Sequence, residues 1–142
     1  MLSFSIVMAI SCHTTKKTDT HTSMNAELIE KYWKLIEING KKIEPSDKWS
    51  KEPHIIFKAA ANRVNGNGGC NGFSGSYTLD ENNRLVISQV MATKMACENM
   101  EIEDQLFGAL NAVRAYSVQG DTLLLKDESE TTLARFEVVY LK

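Results

Sequence analysis

Apolar and polar positions alternate along most of this chain, and the period lengthens in one stretch only. Tyr32-Trp33-Lys34-Leu35-Ile36-Glu37-Ile38 is aromatic and β-branched and predicts a strand. Asn39-Gly40, a strong hairpin-turn dipeptide, follows it, and Ile43 continues into a short return strand that Pro45 ends. Ser46 to Pro53 reads as a polar loop containing Trp49. His54 to Ala60 is a second main strand centred on Ile55, Ile56 and Phe57, and Val64 sits in a third short segment. Tyr77 with Leu79 and Leu85-Val86-Ile87 form two further strands about the turn Asp80-Glu81-Asn82-Asn83. Val90 to Ala96 reads as another strand, or as a strand followed by a loop, ending at Cys97.

The period then lengthens from two to nearly four. Ile102, Leu106, Leu110 and Val113 fall on one stripe flanked by Phe107, which predicts one main helix over about 99–114. Asn99 is the expected N-cap. Glu101, Glu103 and Asp104 suit a first turn, where the helix dipole favours carboxylates, and Arg114 suits the last. Tyr116 with Val118, the turn Gly120-Asp121, and Leu123 with Leu125 make a hairpin. Leu133 to Leu141 is a final strand with Phe136, Val138 and Tyr140 on one face.

Seven to nine short strands and one helix result. Strands this close in sequence pair antiparallel, because parallel crossovers need about a dozen residues or more. A twisted sheet of that many strands tends to curl. The expected class is therefore α+β, mostly β: a curled or barrel-like antiparallel sheet with the helix on its open side or across one end.

The N-terminus is different. Leu2 to Ile10, apolar apart from Ser3 and Ser5, is too short to span a bilayer as a helix and suits the apolar region of an export signal. Ala9-Ile10-Ser11-Cys12 resembles a bacterial lipoprotein processing box, with Cys12 as the lipid-bearing first residue; Ala9 stands where Leu is usual, and no Lys or Arg precedes the apolar run. The expected organisation is a signal over 1–11, a disordered polar tether over 12–26 and one folded domain over 27–142. A lipid on Cys12 would tie the chain to a membrane, facing the periplasm or the exterior of a bacterium.

The 142 residues are 43% hydrophobic and 24% charged, with a formal net charge of −2. That balance is ordinary for a globular domain and unsuited to neutralising phosphates, so no nucleic-acid partner is expected. The chain has three cysteines, an odd count for an exported protein. Lipidation of Cys12 removes one and leaves Cys70 and Cys97 as a pair. In an oxidising compartment that pair should form a disulfide if the geometry allows, closing a loop worth about 3–4 kcal/mol; two separate buried thiols are the alternative.

Gly66-Asn67-Gly68-Gly69-Cys70-Asn71-Gly72-Phe73-Ser74-Gly75 carries five glycines in ten residues. It lacks the Lys-Ser or Lys-Thr of a phosphate loop, and it runs toward a strand rather than a helix, so tight turns beside Cys70 are the better reading. His54 has no partners that would make it a general base, and it reads as a surface or strand-end residue. Glu101 and Glu103 lie two apart and point to different helix faces. His13 and His21 belong to the tether. No metal site, cofactor or catalytic residue is therefore expected. Asn71, Thr93 and Lys94 each flank a cysteine motif that a disulfide would bring together, and they are the candidate contact residues. Trp49 is either an exposed contact or a loop aromatic folded back on the core.

Several of these segments resemble one family. Gly69-Cys70-Asn71-Gly72-Phe73-Ser74-Gly75-Ser76-Tyr77 resembles the GCNxFxGxY signature of META domains, the HslJ-like family, and Ala92-Thr93-Lys94-Met95-Ala96-Cys97 resembles its second motif, aTxMAC. Trp33-x-Leu35 with Gly40, the Asp121-Leu123-Leu125 hairpin, and Glu103-Phe107-Leu110 resemble three more; in the last, one spacing is a residue short. The resemblance implies a Cys70–Cys97 disulfide and structural or contact roles for Asn71, Phe73, Tyr77, Thr93 and Lys94. It implies an envelope or secreted location and an association with heat-shock or antibiotic stress, and it implies no general catalytic activity. The functional expectation is a monomeric, lipid-anchored, non-catalytic envelope domain binding a protein or small ligand. The alternative is an inhibitor of a lysozyme or protease.

Overall fold

The computed structural model describes residues 25–140. The proposed signal, Cys12 and all but the end of the proposed tether lie outside them. The tether's last residues, Asn25 and Ala26, open a helical turn over 25–28 instead.

Nine strands follow: β1 Tyr32–Ile38, β2 Lys41–Lys42, β3 His54–Lys58, β4 Arg63–Asn67, β5 Gly72–Leu79, β6 Leu85–Ala92, β7 Ala115–Gln119, β8 Thr122–Lys126 and β9 Thr132–Val139. The main helix, α1, is Glu101–Ala112. All pairings are antiparallel, in the order β6-β5-β4-β3-β1-β9-β8-β7, with β2 hairpinned onto β1. Twist accumulated over this path curls the sheet into a half-barrel. Its two edges meet at one end only, through the bridge between Arg84 and Ala115 and the bond from Leu85 N–H to the Arg114 carbonyl, 3.0 Å. Toward the far end β6 and β7 diverge, and α1 packs on the open side.

Local chemistry sets the turns. Asn39 and Gly40 both have positive φ, 48° and 78°, the geometry whose twist matches a two-residue hairpin. Gly120 has φ 59° at the first central position of the β7–β8 turn. Alternation then points Trp33, Leu35, Ile55, Phe57, Leu123, Leu125, Phe136 and Val138 into one core with Leu106 and Leu110 of α1 and Val113 just past its end. Trp33 is fully buried, and its indole N–H donates to the Leu28 carbonyl at 2.9 Å, so the helical turn before β1 belongs to the core.

Some sequence expectations need correction at element ends. The helix starts two residues later than expected, with Met100 at the N-cap. Asn99 still accepts a first-turn bond from Glu101 N–H, 3.0 Å, from one position further out. The helix also stops two residues short of 114, and Arg114 donates to the Asn111 and Val113 carbonyls there. Tyr140 does not share the buried face of Phe136 and Val138. It lies just beyond β9, exposed, with its hydroxyl donating to Asp121. Of the two readings of Val90 to Ala96, the strand followed by a loop holds, and that strand is the end of a continuous β6 rather than a separate one. A bulge in that strand coincides with Gln89 at φ 54°.

His54 stands at a strand end, as expected, but it is not at the surface. The residue is 4% exposed, and its ring stacks on Tyr32 at 4.3 Å and pairs through Nδ1 with the Glu52 carbonyl. Burial depresses its pKa. The unfolded chain then binds the proton more readily than the folded one, so stability falls as pH drops through and below about 6.5, the ordinary value of the free side chain. Urea midpoints between pH 8 and pH 5 should decline more steeply for the native protein than for His54→Phe. Equal slopes would remove His54 as the cause.

Candidate functional site

The two cysteine motifs meet at the far end of the half-barrel, where α1 begins. Cys70 and Cys97 are disulfide-bonded with Cα atoms 6.0 Å apart, a normal spacing for such a bridge. The bond ties the turn before β5 to the loop before α1.

Beside it lies a polar cluster centred on Asn71, which is 2% exposed. Its Oδ1 accepts from Thr93 Oγ1 and from Met95 N–H, both at 2.7 Å. Its Nδ2 donates to the Met95 carbonyl at 3.0 Å and to Glu103 Oε1 at 2.6 Å. A side-chain amide has two donors and one acceptor oxygen, and all are engaged. Asn71 therefore works as a clamp between three segments. The expected proximity of Asn71 and Thr93 holds. Lys94, next in the chain, makes no bond to the clamp and is exposed.

Glu103 completes the cluster; the sequence reading placed it as a helix-dipole carboxylate and within the Glu103-Phe107-Leu110 pattern, but not in the site. It is 3% exposed. Its Oε2 accepts from Cys70 N–H at 3.1 Å and Asn71 N–H at 2.6 Å, while Oε1 takes the Asn71 amide. No cation pairs with it among the described residues. Its charge is balanced instead by three N–H donors and by its place in the first turn of α1. Gly68 lies directly against it: a Cβ there would sit 2.6 Å from Glu103 Cγ. The glycine-rich segment thus wraps a buried carboxylate. The legible signal was the Glu103-x-x-x-Phe107 spacing.

Phe73 and Tyr77, the other motif residues, serve the core. Phe73 meets Phe107 edge to face at 5.5 Å, and Tyr77 meets Phe57 likewise at 5.3 Å while its hydroxyl donates to the Lys58 carbonyl at 2.9 Å. Trp49 folds back over Gly69, which has φ 115°; the indole edge lies 3.1 Å from where a Cβ would stand.

The residues 26–140 match the META domain family model. The chain belongs to the META domain family. The expectation drawn from the cysteine motifs is met, and this META domain has the barrel-like sheet anticipated for it. None of the curated proteins matches the chain. Its fold is similar to an NMR structure of a protein from Burkholderia xenovorans, with a TM-score of 0.66, 19% identity, and coverage of 99% of this chain and 100% of that one. It is also similar to a crystal structure of a DUF4847 family protein from Bacteroides vulgatus, with a TM-score of 0.57, 17% identity, and coverage of 81% and 96%. At these identities the likeness is one of fold.

Against the clamp lies an open slot of about 560 Å³ between the end of β6 and α1. Val90 and Ala92 of β6, Met95 and Ala96 of the loop, and Met100 and Phe107 line it with apolar surface, while Asn71 and Glu103 form its floor. Met95 is 54% exposed on a segment fixed by both the disulfide and Asn71. Its volume falls within the range common for ligand sites, and flexible thioethers suit surfaces that adapt to a partner.

Proposed function

We propose that this META domain is an exported, lipid-anchored, non-catalytic binding module of the bacterial envelope, with a role in stress. The reading rests most on the pairing of Cys70 with Cys97, a bond that persists in oxidising compartments and leaves Cys12 as the odd thiol, available for lipid. A binding role is supported by the apolar slot, and the absence of catalysis by the way Asn71, Thr93 and Glu103 spend their polar atoms on one another. Fractionation of cells making the native chain or Cys12→Ala tests this. The native protein should collect with membranes, carry a lipid-sized mass increment at Cys12 and show no free thiol. Cys12→Ala should leave the membrane fraction. A soluble cytoplasmic protein with reduced Cys70 and Cys97 would end the proposal.

A further inference from the structure

The slot has a structural feature that its volume does not convey: one wall is an unpaired sheet edge. β6 ends the strand order, and from Val86 to Ala92 its backbone has hydrogen bonds only to β5 among the described residues. The opposite wall is the α1 face carrying Met100, Glu103, Phe107 and Asn111. Those positions recur at three and four residues, so the wall follows the helix for about 16 Å at 1.5 Å per residue. An extended chain of about five residues spans that length.

Charge narrows the occupant. Among the described residues, Glu103 is the only carboxylate lining the slot, and its oxygens are already held by three N–H donors. Lys94 lines the slot where β6 ends; it is exposed and has no ion-pair or hydrogen-bond partner among the described residues. Its ammonium complements an anionic group placed at that end.

We propose that the slot between β6 and α1 takes an extended peptide from another protein, which adds to the free edge of β6 near Val90–Ala92, places alternate apolar side chains against Met95, Met100 and Phe107, and sets a carboxylate beside Lys94. The pairing supplies affinity through main-chain bonds, and the methionines accept varied apolar side chains. The bulge at Gln89 confines pairing to the last residues of β6, so the complex is short and transient. This inference deepens the binding role proposed above and rests on it, though not on the lipid anchor.

The test uses the full chain in solution, or in nanodiscs where it carries a lipid, and a fluorescein-labelled peptide of alternating valine and threonine ending in aspartate. Binding is read by anisotropy, and the site by methyl resonances of carbon-13-labelled methionine. The peptide should bind, shifting Met95 and Met100 in the slot and also Met91, which lies within the stretch of β6 that the peptide pairs with. N-methylation at the backbone nitrogens facing β6 should weaken it at least tenfold. Lys94→Glu, at an exposed loop position, should weaken it about three- to fivefold, as for one surface ion pair. Dodecanoate is the second probe. If it shifts the same methyls while the peptide does not, or if N-methylation changes nothing, strand addition is wrong although a binding role survives. If neither probe moves Met95 or Met100, both this inference and a binding role for the slot fail.

Discussion

Glu103→Ala should cost about 3–5 kcal/mol in the oxidised protein, read from urea unfolding. The side chain is the acceptor for Cys70 N–H, Asn71 N–H and the Asn71 amide, all in buried surroundings. Hydrogen bonds to a charged group are each worth roughly 1.5–3 kcal/mol, and a buried donor left without a partner costs about 1–3 kcal/mol. The helix gains a few tenths of a kcal/mol from alanine's propensity, too little to offset this. Glu103→Gln should cost less, about 1–3 kcal/mol. The retained oxygen can serve the two backbone donors, but the new NH2 then faces the Asn71 Nδ2 donor. Asn71 cannot turn its amide over to accommodate it without breaking its bonds to Thr93 and to Met95. An alanine variant within about 1 kcal/mol of the native protein would show that the clamp contributes little to stability.

Cys97→Ser should lower stability by about 3–4 kcal/mol, because cutting the bridge frees a loop of about 28 residues in the unfolded chain. The folded structure should change little. Asn71 still holds Met95 by its N–H and its carbonyl, so the loop keeps a second attachment. The expected signature is therefore a lower urea midpoint with native methyl resonances for Met95 and Met100. Adding Asn71→Ala should release the segment, collapse those resonances toward random-coil positions and open the loop to proteolysis. If Cys97→Ser alone moves the Met95 resonance to a random-coil value, the disulfide is the sole restraint and the clamp is ornamental.

The strand and helix assignments were legible because alternation and the change of period report which face of each element is buried. Trp33, Leu35, Phe57 and Phe136 lie in the core, each within a segment whose pattern read as a strand. Element ends were less so. Whether Met100 or Asn99 caps α1 depends on a few tenths of a kcal/mol of local geometry, and Tyr140 leaves its expected face because β9 ends first and Asp121 is in reach. Of the site, Cys70, Cys97, Asn71 and Thr93 were found through motif and parity. Glu103 was read as a first-turn carboxylate and a member of the helix pattern, but not as part of the site, since a helix-start Glu looks the same in sequence whether its oxygens meet water or buried amides.

By itself, the sequence determined a mostly β chain with one helix, a pair of cysteines set apart from a third, and a family kinship carried by two motifs. These are properties of spacing, and spacing survives without coordinates. Only the tertiary structure decided that, among the described residues, β6 stays unpaired toward its end and Lys94 is left free, that α1 stands across from that edge, and that Glu103 is spent on the glycine-rich turn. Those facts depend on how far a twisted sheet curls before its edges meet, which is the sum of many small rotations along eight paired strands and is written at no single residue.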